Sequence, residues 1–142
     1  MFKNDLLARL LILAGIGQLA VALSSLAIPH LLGWRDELRA LRPLTRSVFW
    51  TYAGYTLGIH LWFGIVSIVA AQTLAAGGLL PTLITGFIAI YWGVRVVAQF
   101  TWYDRSVAST RLLFRVGEIG YLLAFVALTL LYGAAAIHGA VG

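Results

Sequence analysis

The chain has 142 residues, of which 61% are hydrophobic and 11% charged, and its formal net charge is +5. Because about a quarter of the residues in a soluble globular domain are charged, this composition is typical of a protein that folds in lipid. The sequence contains no cysteine, which excludes disulfides and thiolate sites for zinc, iron–sulfur clusters or nucleophilic catalysis.

Four apolar segments are each long enough to cross a bilayer as a helix. Crossing about 30 Å of hydrocarbon takes roughly 20 apolar residues, and the segments cover residues 10–28, 48–71, 80–100 and 112–137. The sequence therefore predicts an all-α integral membrane protein. We expect a bundle of four transmembrane helices that forms a single domain over residues 1–142.

The start of the first segment has a second interpretation. Lys3 and Arg9 precede an apolar stretch, as in a secretory signal peptide. The stretch is longer than the apolar part of a typical signal peptide, so we expect a retained transmembrane helix. Pro29 and Gly33 are predicted to end this helix, because proline disfavours helical geometry in the residue before it and glycine tolerates a terminating conformation.

The connection that follows predicts a short interfacial amphipathic helix between the first and second spans. Over residues 36–44, Leu38, Leu41 and Leu44 recur about every third residue, while Arg39 and Arg42 point elsewhere. This pattern is typical of a helix that lies in the headgroup layer. An irregular loop is the alternative.

The basic residues predict the orientation of the chain. The first loop carries Arg35, Arg39, Arg42 and Arg46, the third carries Arg105, Arg111 and Arg115, and the middle loop has no charge. Since Lys and Arg in short loops stay cytoplasmic, we expect loops 1 and 3 inside and both termini outside, in a bacterial cytoplasmic membrane. Lys3 and Arg9, near the N-terminus, favour the opposite orientation, but loops 1 and 3 together contain seven arginines. The net positive charge then indicates contact with anionic lipid headgroups, and nucleic acid is not an expected partner.

Aromatic side chains cluster near the same basic ends, where amphipathic rings favour the membrane interface. They are Trp34, Phe49, Trp50, Trp102, Tyr103 and Phe114.

Two stripes of small residues predict helix contacts. Gly54 and Gly58 form a GxxxG pattern in the second span, and Gly117, Gly120 and Ala124 form a stripe in the fourth. Small residues let the backbones of membrane helices approach closely. We expect these contacts inside the bundle; the alternative is contact with another subunit, in a homo-oligomer or hetero-oligomer.

His60 lies near the middle of the second span and shares a stripe with Tyr52, Thr56, Gly64 and Ser67. The favoured interpretation is that neutral His60 makes a hydrogen bond to a neighbouring helix. Two alternatives are a proton relay and ligation of a haem or chlorin through His60 as a single axial ligand. In the cofactor alternative, Tyr55, Trp62 and Phe63 would line the pocket. A bis-histidine site is disfavoured, because the three histidines lie at different depths.

A second polar group lies nearer the basic ends. Arg95 and Glu118 have similar predicted depths on consecutive spans, so we expect an ion pair between them. Alternatively, Arg95 extends to the headgroups and Glu118 pairs with Arg115. Arg95, Gln99 and Tyr103 share a helix face and are candidates for binding a lipid headgroup or a quinone.

The sequence lacks the phosphate-binding, dinucleotide-binding, metal-protease and nucleophile motifs that identify common enzymes. We therefore favour an accessory or scaffolding subunit of a larger membrane complex. One alternative is a membrane-embedded protein that binds haem, pigment, quinone or lipid, although the sequence identifies no particular cofactor. The other is an interfacial lipid-modifying enzyme that uses His30 with Asp36 or Asp104 as acid and base.

Overall fold

The computed structural model describes residues 2–102 and 112–141, with side chains from residue 4 onward. Every regular element in these ranges is a helix. The long helices are α1 (Phe2–Ser25), α4 (Pro43–Val69), α6 (Leu79–Thr101) and α7 (Leu112–Val141). The short elements are α2 (Ile28–Leu31), α3 (Trp34–Glu37), a 3₁₀ turn (Leu38–Ala40) and α5 (Ala71–Ala76).

Four helical stretches in the described residues are long and apolar enough to cross a membrane. They are Asn4–Leu31, Pro43–Val69, Leu79–Thr101 and Leu112–Val141, with 28, 27, 23 and 30 residues. Even the shortest reaches about 35 Å at 1.5 Å per residue, which exceeds the roughly 30 Å of bilayer hydrocarbon. The predicted helical class and the four apolar helices are therefore confirmed.

The connection between α1 and α4 differs from the predicted helix over residues 36–44. Helical turns cover Trp34–Glu37 and Leu38–Ala40, and α4 already begins at Pro43. Proline favours the first position of a helix and disfavours helical geometry in the residue before it, so Pro43 separates the two elements. Gly33 has φ +66°, a left-handed conformation that glycine adopts without steric cost, and it starts α3.

The first helix also ends earlier than predicted. The α1 helix ends at Ser25, and Pro29 lies in the first turn of α2, where its missing N–H costs nothing.

The chain divides into two compact units, which we name the α7 unit (residues 1–12 and 70–142) and the α4 unit (residues 13–69). Each is described separately below. The prediction of a single domain stays a prediction.

In the α7 unit, α6 and α7 pack through large side chains. Trp92 is fully buried and stacks on Phe125, with ring centroids 4.9 Å apart and an interplanar angle of 24°. Ile88 and Tyr132 are buried in the same core. A stacked aromatic pair of this kind contributes about 0.5 to 1.5 kcal/mol beyond the burial of its area.

One end of the α7 unit brings three parts of the chain together. Nε2 of His138 donates a hydrogen bond to Oδ1 of Asn4 (3.1 Å), and the backbone N–H of Gly78 donates to the carbonyl oxygen of Gly139 (3.2 Å). Gly77 and Gly78 have φ +83° and +102°, which strongly favours glycine at this turn. The first turn of α1, the connection before α6 and the end of α7 therefore lie together.

In the α4 unit, α1 and α4 approach each other backbone to backbone. A Cβ added to Gly15 would lie 2.8 Å from the carbonyl oxygen of Gly64, and one added to Gly64 would lie 3.0 Å from the carbonyl oxygen of Gly15. Next to this contact, Nε2 of the buried Gln18 lies 3.5 Å from Oγ of Ser67. Ser67 in turn donates a hydrogen bond to the carbonyl oxygen of Phe63 (2.6 Å).

Candidate functional site

The polar stripe that contains His60 is buried at one end and exposed at the other. His60 is 4% exposed, and Ser67 is buried. Tyr52 is 66% exposed, and the hydroxyl of Thr56 donates to the carbonyl oxygen of Tyr52 (2.9 Å) within α4. The candidate ligand residues His60, Tyr52 and Thr56 therefore do not line one enclosed site.

The aromatic pocket predicted beside His60 is not formed by the three expected side chains. Phe63 is buried, but Tyr55 and Trp62 are 66% and 64% exposed. On a helix with 3.6 residues per turn, both point away from the side that carries His60. The described residues also contain no group of three or more His, Asp or Glu residues that could hold a metal ion. Single axial ligation and the interhelical hydrogen bond of His60 stay predictions.

The second polar group joins α6 to α7 through Gln99 and Glu118. Nε2 of Gln99 donates a hydrogen bond to Oε1 of Glu118 (3.1 Å). The guanidinium carbon of Arg95 lies over the ring of Phe125, 5.7 Å from its centroid. The predicted ion pair between Arg95 and Glu118 stays a prediction, as does the alternative pairing of Glu118 with Arg115. Tyr103, the third member of the predicted binding face, lies outside the described residues.

The Gln99 to Glu118 contact has a clear structural role. Hydrogen bonds to a carboxylate are stronger than those between neutral groups, and hydrogen bonds between membrane helices contribute about 0.6 to 2 kcal/mol. The cation–π contact of Arg95 lies one turn earlier on α6. Together the two contacts fix the register of α6 against α7.

The glycine stripes predicted from the sequence lie on open helix faces. A Cβ added to Gly54, Gly58, Gly117 or Gly120 would meet no atom of the described residues within 4 Å beyond its chain neighbours and the nearby backbone of its own helix. Ala124 is only half-buried. Contact of these stripes inside a bundle and contact with another subunit both stay predictions.

A basic cleft in the α4 unit was not predicted as a site. It has a volume of about 400 Å³ and is lined by Arg35, Arg39, Arg46 and Trp50. The first two arginines belong to α3 and the 3₁₀ turn, and Arg46 and Trp50 lie one turn apart on α4.

Aromatic packing positions the two sides of this cleft. The ring of Trp34, at the start of α3, meets the edge of Phe49 on α4 with centroids 5.3 Å apart and an interplanar angle of 82°. Phe49 makes a second edge contact with Trp50 at 5.6 Å. This geometry is favourable for aromatic pairs. The pairs bring α3 alongside the first turns of α4, so that arginines distant in sequence line one cleft.

The acidic residue beside the cleft already has a partner. Oδ1 of Asp36 lies 3.3 Å from Nη1 of Arg39, and both side chains are largely exposed. Asp36 was a candidate acid–base partner of His30, and the contact observed for it is with Arg39. Asp104, the other candidate, lies outside the described residues.

No protein-family model matches the chain, and no curated protein or solved structure matches it at a significant level. The functional interpretation therefore rests on the residues and their geometry.

Proposed function

We propose that this chain is a polytopic membrane protein that acts as an accessory or scaffolding subunit of a larger membrane complex. The observation that carries the proposal is the exposure of glycine pairs on α4 and α7, at Gly54 with Gly58 and at Gly117 with Gly120. Four helices of membrane-spanning length and composition support the location.

The exposed apolar surface supports insertion into lipid. Large apolar side chains are exposed on every long helix, including Leu13 on α1, Ile65 on α4, Phe87 on α6 and Leu130 on α7. Monomeric soluble proteins rarely expose apolar surface over contiguous areas of more than a few hundred Å². Lipid acyl chains would cover these residues without cost.

For orientation we propose cytoplasmic loops 1 and 3 and external termini, in a bacterial cytoplasmic membrane, on the basis of the arginine distribution. The contacts at one end of the α7 unit support part of this arrangement. Asn4, Gly78 and His138 lie at the same end, as expected if the N-terminus, the middle loop and the C-terminus share one side.

The outer face of α4, defined by Gly54, Tyr55, Gly58 and Trp62, has the shape of a helix-docking surface. The two glycines leave a shallow groove, and the two exposed rings stand beside it at helical spacings of three and four residues. Glycine inside a helix costs about 1 kcal/mol relative to alanine. Close approach of another helix would compensate for that cost, since membrane helices associate through such small residues.

The proposal is tested by purifying the tagged full chain in mild detergent from the cells that naturally produce it. Wild type is expected to co-purify with other membrane subunits in fixed stoichiometry. Gly58→Ile should lose them, because the added side chain fills the groove. The matched control is Gly17→Ile, at another glycine with open space around it, which should retain them. A monodisperse wild-type monomer without partners would contradict the proposal.

Lipid binding is a second candidate function, favoured by the basic cleft. It does not compete with the first, because the cleft and the outer face of α4 involve different residues.

A further inference from the structure

The cleft between α3 and α4 concentrates positive charge from three separate segments. Its guanidinium groups come from Arg35 on α3, Arg39 on the 3₁₀ turn and Arg46 on α4. A volume of about 400 Å³ lies within the range of small-ligand sites. The cleft is therefore large enough to hold a headgroup-sized anion.

The local charge balance leaves this cleft positive. Residues 33–46 contain four arginines and two acidic residues. Asp36 contacts Arg39, but both side chains are largely exposed, and ion pairs of this kind are weak in water. Like charges that line one cleft repel each other, and a bound anion relieves that repulsion. The site is thus suited to an anion that contacts Arg35 and Arg46 and shares Arg39 with Asp36.

Phosphate is the anion that best fits these donors. The guanidinium group has a planar set of N–H donors that matches phosphate oxygens in pairs. Trp50, on the wall of the cleft, is a side chain enriched where membrane lipid meets water.

Exposed apolar side chains that flank the cleft residues in sequence indicate the rest of the ligand. Leu31 and Leu32 precede α3, and Leu41 and Leu44 flank the start of α4; all four are exposed. Leucines that alternate with basic residues in sequence are typical of a segment whose apolar side chains reach acyl chains while its charges stay at headgroup level.

We infer that the cleft lined by Arg35, Arg39, Arg46 and Trp50 binds the phosphate of an anionic phospholipid headgroup. This inference rests on the proposed membrane insertion and is independent of the proposed partner subunits. It assigns the short α3 segment a specific lipid contact in addition to a place in the interface.

Arg42 provides a matched control within the same segment. It carries the same charge and lies between Arg39 and Arg46 in sequence, yet it does not line the cleft. A binding mode based on overall surface charge would use Arg42 as much as the others. Binding inside the cleft would not depend on Arg42.

The test measures lipid binding by native mass spectrometry of the full chain released from detergent, with phosphatidylglycerol added in increasing amounts. Arg35→Gln with Arg46→Gln is expected to weaken binding about tenfold or more, since each lost charge-assisted hydrogen bond contributes at that scale. Arg42→Gln should change binding by less than about twofold, because screening weakens charges outside the site. Circular dichroism and gel filtration verify that the variants keep the wild-type helical content and size.

Competition experiments distinguish the possible ligands. Zwitterionic phosphatidylcholine should bind clearly more weakly than phosphatidylglycerol, and millimolar inorganic phosphate should not displace the lipid. Displacement by inorganic phosphate would overturn the assignment to lipid. Equal weakening by Arg42→Gln, or unchanged binding in the double variant, would overturn the site.

Carbonate extraction of membranes separates this inference from the underlying proposal. A chain released by carbonate would disprove membrane insertion and remove the basis of both. A chain retained in the membrane whose lipid binding ignores the cleft variants would disprove the lipid site alone.

Discussion

The α4 unit and the α7 unit join their long helices in opposite ways. In the α4 unit, α1 and α4 meet where side chains are absent, at Gly15 and Gly64. In the α7 unit, α6 and α7 meet through some of the largest side chains in the sequence, Trp92 on Phe125. One contact depends on small residues and the other on large ones. Adding a side chain should therefore disrupt the helix contact of the α4 unit, whereas removing one should disrupt that of the α7 unit.

The largest effect is expected from a substitution that breaks the aromatic contact of the α7 unit. Trp92→Ala removes a fully buried ring, and truncations of this kind cost about 3 to 5 kcal/mol because the cavity collapses only partly. The free energy of unfolding is measured by denaturant titration in detergent, followed by far-UV circular dichroism. Trp62→Ala, at an exposed ring on α4, is the control and should cost much less. Equal losses in both variants would refute the importance of the stacked pair.

The next effect tests the glycine contact of the α4 unit, where adding a single methyl group should be harmful. A Cβ at Gly15 would lie 2.7 Å from Cγ1 of Ile68 and 2.8 Å from the carbonyl oxygen of Gly64. The helices would have to separate, so Gly15→Ala should cost about 1 to 3 kcal/mol in the same titration.

Gly17→Ala should change stability in the opposite direction from Gly15→Ala, although both residues lie on α1. This glycine has open space around it, and alanine is the better helix former by about 1 kcal/mol. The Gly17 variant should therefore match or exceed wild-type stability. If both alanine variants were stabilising, the backbone contact between α1 and α4 would not exist in the folded protein.

The smallest effects on stability are expected from substitutions in the polar contacts of the two units. Gln99→Leu removes the 3.1 Å hydrogen bond to the carboxylate of Glu118 and should cost about 0.6 to 2 kcal/mol. The contact of Gln18 with Ser67 is 3.5 Å long and involves a neutral hydroxyl, which is at the long limit for a hydrogen bond, so this pair should contribute less.

A double-mutant cycle with Glu118→Leu measures the coupling in the α7 unit directly. Coupling of Gln99 with Glu118 should exceed that of Gln18 with Ser67, the latter tested through Ser67→Ala. Equal coupling energies would show that charge and distance do not separate these two contacts.

The helices were predictable because hydropathy accumulates over some 20 residues, so errors at single positions do not matter. Their ends were less predictable. Pro43 belongs to α4 and Leu44 with it, although the leucine spacing placed both in the interfacial segment. The proline was the better signal, since its missing N–H fits the first helical turn.

The close helix contacts could not be found by spacing within one helix. Gly54 and Gly58 match the GxxxG pattern, yet Gly15 and Gly64, which have no glycine four residues away, form the close contact. Contact requires two residues at the same depth on facing sides of different helices, and one sequence pattern specifies neither.

The candidate sites show the same limit. The sequence indicates how deep a residue lies in the membrane, but not which residue of another helix it contacts. Position along the sequence placed Arg95, Gln99 and Glu118 at similar depths, but it did not indicate that Gln99 contacts Glu118. The basic cleft depends on α3 lying alongside α4, which the sequence indicated only through Gly33 and the aromatic residues. The arginines were predicted as separate headgroup contacts, and their arrangement around one cleft required the structure.

The hydrogen bond between Asn4 and His138 places the start of α1 close to the end of α7. Two halves of a split fluorescent protein, one fused at each terminus, would reassemble within a single molecule. A short peptide bridge between the ends would also allow the chain to be reopened elsewhere, because adjacent termini are what circular permutation requires.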